Sequence, residues 1–327
     1  MANTFTVGDL EVLVFSDGSS RIPATAYFAG TTREQWAPHA RWLDHDGNVV
    51  MPFTCFLVRS GDRRILIDTG LGPVKLWNFT GGDLLNELAT AGVRPEEIDT
   101  VFITHLHVDH CGNVALPSGD ALQATFPNAT YHWTLEEDAY WHSTKPLMTD
   151  FSMDAMFEAV APRFQPVEDG ATLAPGINVI SLPGHTPGQA GVVLSSGAER
   201  AFILGDAISC PAQVEQSEWS GMGDVDPKLA RRTRRRWRKS WKGRTRSWPP
   251  PTFPGSPSAA YCAARDAVTG SRYSADRGLR LAGGLALRYH GVGAGEARSA
   301  SRLAPVRSQS AEVAELADAA DSKSAEG

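Results

Sequence analysis

Short apolar runs, many of them rich in Val, Ile and Leu, recur along the first two thirds of the chain and predict β-strands. Several runs are apolar at consecutive positions, which is typical of strands that are covered on both faces. The predicted strands are Leu10–Phe15, Phe53–Arg59, Arg64–Asp68, Thr100–Thr104, Thr130–Trp133, Asn178–Leu182, Gly191–Leu194 and Ala201–Leu204.

Helical patterns lie between these runs, so the chain is predicted to be α/β in class. The predicted helices are Asp83–Ala91, Leu135–Trp141, Ser152–Val160 and a segment that begins near Pro227. Asp83 is expected to cap the first helix, and Gly92 is expected to end it.

The strongest chemical signal follows the apolar run that begins at Thr100. Three histidines and one aspartate, His105, His107, Asp109 and His110, lie within six residues. Imidazole and carboxylate ligands suit zinc and other divalent first-row ions. Desolvating four such groups without a shared partner is costly. We therefore predict a metal site, with more than one ion, in preference to four unrelated polar residues.

These four residues match the pattern H-x-H-x-D-H, and the chain resembles the metallo-β-lactamase-fold hydrolases. Three further segments resemble motifs of that family in the expected order, and the resemblance covers about Phe5 to Leu229. They are Ile65–Gly70, Pro183–Gly188 and Ile203–Asp206. The resemblance implies a four-layer αββα sandwich with its metal ligands on loops at the ends of strands.

The resemblance also implies two zinc ions and the residues that hold them. The implied ligands are His105, His107 and His185 for the first ion, and Asp109, His110 and Asp206 for the second, with Asp206 shared by both. A hydroxide held by both ions would be the nucleophile, because metal binding lowers the pKa of water toward roughly 7.

Two aspartates have further implied roles. Asp109 would be the catalytic residue that hydrogen-bonds the hydroxide and carries a proton to the leaving group. Asp68 would orient a metal ligand; the alternative is that it caps a turn.

Details of the motifs narrow the substrate class. His107 stands where the diiron oxidoreductase branch has Glu, and Asp206 stands where common zinc β-lactamases have Cys, so we expect neither redox chemistry nor antibiotic hydrolysis. The segments Asp17–Pro23 and Met51–Phe53 resemble the branch of lactonases and organophosphate hydrolases, although Ser209 stands where lactonases usually have Tyr. We expect a small-molecule ester, most readily a lactone, as the substrate, with a phosphotriester or a thioester as the alternatives.

Composition adds a cellular expectation. The 327 residues include four cysteines, at positions 55, 111, 210 and 262, without a CxxC pair, which favours free thiols in a reducing, cytoplasmic location. Cys111 and Cys210 are expected to pack and not to bind metal. Neither a signal peptide nor a membrane-spanning run is expected, and no membrane partner is expected.

Charge is distributed unevenly along the chain. Residues 1–226 contain 11 Lys and Arg against 29 Asp and Glu, whereas residues 227–327 contain 20 against 8, so the net charge of −6 conceals an acidic part and a basic part. The family needs one more His to complete its second metal site, on a strand after the helix near Pro227. The run Arg231–Lys239 stands in its place, and His290, the only histidine after His185, does not lie in a similar motif. A nucleic-acid-binding or nuclease protein with a basic arm is one explanation.

A shifted reading frame is the explanation that we favour. When each codon's last base is read with the next codon's first two, the codons of Pro251–Gly255 are compatible with Thr-His-(Leu or Phe)-Pro-Gly, which resembles the missing motif. Further on, Ala311–Asp318 resembles a translated leucine tRNA gene. The expected domains are then a hydrolase domain at residues 1–236, incomplete at its end, and a non-native, disordered tail at residues 237–327. The second sheet would lack its closing strand, and an inactive, damaged product is a further possibility.

Overall fold

The computed structural model describes residues 3–74, 79–144, 153–242, 261–264 and 286–290, with side chains described through residue 239. Two sheets of six strands each organise these residues, together with a two-stranded hairpin. The first sheet has the order β1 (Asn3–Val7), β2 (Leu10–Pro23), β3 (Asn48–Ser60), β4 (Arg63–Ile67), β5 (Thr100–Phe102) and β8 (Thr130–His132). The hairpin pairs β6 (Ala115–Ser118) with β7 (Ala121–Ala124).

The second sheet has two short strands from the basic part at one edge. Its order is β13 (Tyr261–Ala264), β14 (Ala286–His290), β12 (Glu199–Ile203), β11 (Ala190–Ser196), β10 (Ile177–Ser181) and β9 (Thr172–Ala174). All eight predicted strands are present, some of them longer than predicted. Sequence analysis missed β1, β6, β7, β9, β13 and β14, which are short.

The helices lie between these strands in the chain. They are α1 (Ala24–Tyr27), α2 (Arg33–Trp36), α3 (Leu84–Thr90), α4 (Val108–Cys111), α5 (Leu135–Thr144), α6 (Met153–Val160), α7 (Ala212–Glu215) and α8 (Pro227–Lys242). Single 3-10 turns are formed by Ala37–Trp42, Pro95–Glu97, Ala161–Arg163 and Gly205–Ile208. Within the described ranges, no helix has both the length and the apolar composition that crossing a bilayer would require.

Apolar side chains between the two sheets form one core. Val12 and Val58 of the first sheet lie in the same buried cluster as Val179 and Val192 of the second. Because side chains alternate along a strand, the neighbours of these residues point to the opposite face. Leu57, for example, packs in a second cluster with residues of α3 and α6.

Helix α8 covers the other face of the second sheet. The Trp237 ring meets the Phe202 ring edge-on at 6.4 Å between centroids, and the Thr233 hydroxyl donates a hydrogen bond to the Pro183 carbonyl (2.6 Å). The order of layers is therefore helix, sheet, sheet, helix, and the predicted αββα sandwich is confirmed.

Two local expectations for α3 have different outcomes. Gly92 follows the helix with a φ of +72°, as expected of a residue that ends a helix. Asp83 occupies the N-cap position, as predicted, but its side chain makes no hydrogen bond to the helix. The buried Asp17 takes that place by accepting a hydrogen bond from the Leu84 amide (2.9 Å), because β2 brings its carboxylate to the end of the helix.

The basic part differs from expectation where it is described. Helix α8 continues through the predicted boundary at residue 236 to Lys242. The second sheet was expected to lack its closing strand, but β14 pairs with β12 in antiparallel register. Strand pairing uses backbone groups that every non-proline residue supplies, so a run of unremarkable composition can occupy this edge. Most of the predicted tail lies outside the described residues.

Candidate metal centre

The directions of the strands bring the predicted ligands to the same edge of each sheet. β4 and β5 are parallel, so Asp68 and the segment beginning at His105 leave the first sheet at one edge. β10 and β12 are both antiparallel to β11 and therefore run in the same direction, so His185 and Asp206 leave the second sheet at one edge. Loops at strand ends thus carry all the predicted ligands.

Three imidazoles converge on one point. His105 Nε2 lies 2.9 Å from His107 Nδ1, and His185 Nε2 lies 2.9 Å from the same nitrogen. The ligand atoms of these three residues all lie within 4.8 Å of one another. The structure thus brings together the set predicted for the first ion.

A second group lies directly beside the first. Ligand atoms of His105, His110 and Asp206 lie within 4.8 Å of one another. The two oxygens of Asp206 face different histidines, since Oδ1 lies 3.5 Å from His110 Nε2 and Oδ2 lies 3.7 Å from His185 Nε2. Asp206 therefore lies between the two groups. Asp109 is beside the second group, with Oδ2 3.7 Å from His110 Nε2.

Asp68 contacts both the histidine loop and a histidine of the cluster. Its Oδ1 accepts a hydrogen bond from the Thr104 amide (2.7 Å), and its Oδ2 lies 2.9 Å from His110 Nδ1. Its φ of +58° is in the left-handed region, which is costly for a residue other than glycine. The carboxylate therefore fixes the turn and the orientation of the His110 ring together.

Burial favours the neutral form of two imidazoles. It lowers the pKa of His105 well below its ordinary value, and the neighbouring His110 and His107 lower it further. The pKa of His107 is also well below its ordinary value, chiefly because of burial and the nearby His185. A neutral imidazole has the free lone pair that a metal needs.

The remaining titratable groups differ in the sign of their shifts. Burial acts to lower the pKa of His110, but Asp109, Asp68 and Asp206 raise it well above its ordinary value. Burial raises the pKa of Asp109, and the charge of Asp206 raises it further. Burial acts in the same sense on Asp206, but His110 outweighs it and holds the pKa of that carboxyl well below its ordinary value.

Glu137 was missed in the sequence, where it is one acidic residue among three in an ordinary helical pattern. It is fully buried on α5 and accepts four hydrogen bonds. The donors are the Leu106 amide (2.9 Å), Trp141 Nε1 (2.8 Å), the Thr186 hydroxyl (2.6 Å) and the Gly188 amide (3.1 Å). One carboxylate thus joins the loop of His105 and His107 to the loop of His185. No local pattern distinguishes Glu137 from its exposed neighbours.

The cysteines near the centre are buried thiols. Cys111 donates a weak hydrogen bond to the Leu106 carbonyl (3.7 Å), and burial raises its pKa well above the ordinary value. Burial also raises the pKa of Cys210 to about 12. Cys55, Cys111 and Cys210 are free.

The backbone of His290 lies away from the cluster. Its position on β14 pairs with Glu199, at the start of β12, whereas Asp206 follows the end of that strand. The backbone register therefore places His290 at the far end of β12 from the cluster.

The donor set fits metal ions. The buried imidazoles with depressed pKa values present free lone pairs, and one anionic carboxylate lies between the two histidine groups. Cations among these electron-rich atoms would reduce the repulsion between them. The side chains of Asp109 and Asp206 are each 24% exposed, so these two carboxylates line the open side of the cluster. All donors are nitrogen or oxygen, which suits zinc and also other divalent first-row ions.

The chain is similar to known proteins in sequence and in fold. An N-acyl homoserine lactonase from a Bacillus species is 25% identical over 173 residues, which are 47% of this chain and 62% of that protein. The structure of AidC, a dizinc quorum-quenching lactonase in complex with a product, superposes with a TM-score of 0.65 at 24% identity, covering 73% of this chain and 86% of that chain. The crystal structure of the hydrolase AbOPH, in the β-lactamase superfamily, superposes with a TM-score of 0.62 at 28% identity, covering 72% and 84%.

The family model described as the Metallo-beta-lactamase superfamily matches residues 51–245. That range is more than half of the chain and contains every residue of the cluster. The chain belongs to the metallo-β-lactamase superfamily.

Proposed function

We propose that this protein is a metal-dependent hydrolase that opens an ester-like bond, most readily that of a lactone. The convergence of His105, His107, His110, His185 and Asp206 on two adjacent groups of ligand atoms carries the proposal. The similarity to relatives named as N-acyl homoserine lactonases favours the lactone among ester-like substrates.

We assign the metal roles as the motifs imply. His105, His107 and His185 would hold one ion, and Asp109, His110 and Asp206 would begin the site of a second, with Asp206 shared. Zinc is the expected metal. When bound, such ions would acidify a water molecule and polarise the substrate carbonyl.

Two carboxylates with opposite pKa shifts have different chemical roles. Asp206, whose pKa is lowered, stays anionic and can bridge two cations. Asp109, whose pKa is raised and whose side chain is partly exposed, can accept a proton from the attacking water and deliver it to the leaving group. Asp68 keeps the His110 ring in place, and Glu137 keeps the two histidine loops together.

A substrate panel tests the proposal. The purified protein, stripped of metal and reconstituted with Zn²⁺, is assayed with acyl-homoserine lactones, a paraoxon-like phosphotriester and a glutathione thioester. We expect zinc-dependent lactone opening that is lost in His185→Ala and retained in His142→Ala, a matched change at a histidine outside the cluster. If only the phosphotriester or only the thioester is turned over, that compound class is the substrate in place of the lactone.

Two other outcomes would point elsewhere. Salt-sensitive binding of oligonucleotides that disappears when residues 230–327 are deleted would support the nucleic-acid alternative. Zinc-loaded protein without turnover of any panel member would support an inactive product.

A further inference from the structure

One arginine of the basic run is buried. On α8, Arg234 is 1% exposed, whereas Arg232, Arg235 and Arg236 are exposed. The sequence offers two explanations of this run, a nucleic-acid-binding surface or the approach to a shifted frame. A buried guanidinium does not fit the first, because it faces the protein and is held there by specific partners. It is compatible with the second, because the expected hydrolase domain extends to residue 236.

One partner of Arg234 lies in the turn of Asp206, and the others lie within residues 217–224. Its NH2 group lies 3.3 Å from Asp224 Oδ2 and donates to the Trp219 carbonyl (3.0 Å). Its Nε donates to the Ser217 carbonyl (3.2 Å), and its NH1 donates to the carbonyl of Ala207, the residue after Asp206 (3.4 Å). One side chain thus ties α8 to the turn of Asp206 and to residues 217–224.

Asp224 connects this arginine to the cluster. It is buried, and its Oδ1 lies 3.2 Å from Nδ1 of His185. A proton on Nδ1 that is donated to this carboxylate leaves the Nε2 lone pair free, and Nε2 is the atom that faces His107 and Asp206. Carboxylates that hold the far nitrogen of a metal-binding histidine in this way commonly fix its tautomer and its orientation.

The loop around Asp224 is shaped for this approach. A Cβ atom at Gly223 would lie 2.7 Å from His185 Cε1, so only a glycine lets the loop come so close to the ring. The amides of Val225 and Asp226 donate to the carbonyls of His185 and Gly184 (2.9 Å each), which seats the loop along the ligand segment.

We propose that Arg234 is a positioning residue of the metal centre: through Asp224 it holds the His185 imidazole with Nε2 directed at the other ligands. Without the guanidinium, the carboxylate of Asp224 would be buried without a compensating cation and would turn toward water or other donors. His185 would then lose its fixed tautomer. The inference rests on the proposed function in one respect, that His185 binds metal.

Zinc affinity, measured by competition with a chromophoric chelator, tests the inference without any substrate. We expect Arg234→Met and Asp224→Asn each to weaken zinc binding by roughly 10- to 100-fold. Arg232→Met is the matched control, since it removes an exposed arginine of the same helix, and we expect it to bind zinc as the unchanged protein does. Arg234→Lys should fall between, because it keeps the charge and loses the fork of donors.

A double-mutant cycle separates positioning from a general loss of structure. If Arg234 acts through Asp224, Arg234→Met should add little to the loss already caused by Asp224→Asn. Additive losses, or zinc affinities in both single variants equal to that of the unchanged protein, would overturn the inference. If Arg234→Met does not fold, as judged by circular dichroism, the Arg234→Lys and Asp224→Asn cycle carries the same test. Failure of the unchanged protein to bind zinc would overturn the proposed metal centre itself, and the inference with it.

Discussion

At the scale of single residues, the centre depends on buried polar groups that are not themselves metal ligands. Asp68, Glu137 and Asp224 each hold a ligand segment by side-chain hydrogen bonds, and each is buried. A buried carboxylate is stable only where hydrogen-bond donors surround it. Each of these residues therefore needs the donors of the loops, and its hydrogen bonds hold those loops in place. Substitutions at such positions should affect metal binding without touching a ligand.

Glu137→Gln is the sharpest residue-scale prediction. The amide nitrogen of Gln would face a backbone N–H of Leu106 or Gly188, so at least one buried donor would lose its acceptor. We expect a loss of about 1–3 kcal/mol in the free energy of unfolding for each unpaired group, together with weaker zinc binding. Urea denaturation and chelator competition measure the two effects.

The exposed neighbour of Glu137 provides the control. Glu136→Gln makes the same chemical change one residue away on α5, where the side chain is exposed. It should leave both stability and zinc affinity unchanged. Equal behaviour of the two variants would show that Glu137 does not hold the ligand loops.

At the scale of elements, strand direction assembles the centre and one aspartate anchors a helix to it. Asp17 on β2 is fully buried and accepts hydrogen bonds from the amides of Gly72 (2.8 Å) and Leu84 (2.9 Å) and from the Asn113 side chain (3.1 Å). It therefore joins the start of α3 to the segments after β4 and α4, which flank the cluster.

Replacing Asp17 should be far more damaging than replacing Asp83, the residue that the sequence suggested as the cap. We expect Asp17→Ala to cost at least about 2 kcal/mol of unfolding free energy, because several buried donors lose their acceptor together. Asp83→Ala, at an exposed position without a side-chain cap, should change it by less than about 0.5 kcal/mol. Urea denaturation of both variants measures the difference, and equal losses would contradict the assignment of the cap.

At the scale of the whole molecule, buried histidines make the metal-free protein sensitive to acid. Burial lowers the pKa values of His39, His105, His107 and His132 below the ordinary value of about 6.5. Below that pH the unfolded chain binds protons that the folded protein excludes, so stability falls as the pH falls. The raised pKa of His110 changes the stability only above about pH 6.5, so it does not affect the slope below that pH.

We therefore expect the unfolding free energy of the metal-free protein to fall steadily from about pH 6.5 to pH 5. Each unit of difference between folded and unfolded pKa is equivalent to about 1.4 kcal/mol. The raised pKa of Asp109 acts in the opposite direction, but it is one group against four histidines. Urea denaturation across this range measures the slope, and His105→Asn should flatten it, whereas His142→Asn should not. A stability that is constant or rises toward pH 5 would contradict the argument.

The basic part leads to a prediction about the gene. We propose that the reading frame shifts near codons 230–237 and that the altered tail replaces the native end of a hydrolase domain. The second ion would then be bound weakly, because the last histidine of its site is missing. Sequencing codons 225–327 from fresh genomic template should reveal a single-base insertion or deletion that restores the missing histidine. The chain as written should bind markedly less than two zinc ions per molecule at micromolar zinc. A confirmed frame together with two tightly bound zinc ions would contradict both expectations.

Much of the fold and most of the cluster could be predicted from the sequence, for identifiable reasons. The buried strands are apolar at consecutive positions, and the ligands His105, His107, Asp109 and His110 lie within one short segment. Both signals are local, so they are visible without knowing which segments meet. The same holds for His185 and Asp206, whose small-residue motifs mark turns at strand ends.

Only the tertiary structure decided what lies around those ligands. Glu137 and Arg234 have neighbours in the sequence of the same charge and type, and only burial separates them from Glu136 and Arg232. Asp17 lies far in the sequence from α3, the helix whose first turn it binds. Burial and hydrogen bonding depend on segments that are distant in the chain, such as β2 with α3, or α8 with the loop of His185. The sequence by itself determined the chemistry of the site, whereas the packing of distant elements determined which polar residues hold it in place.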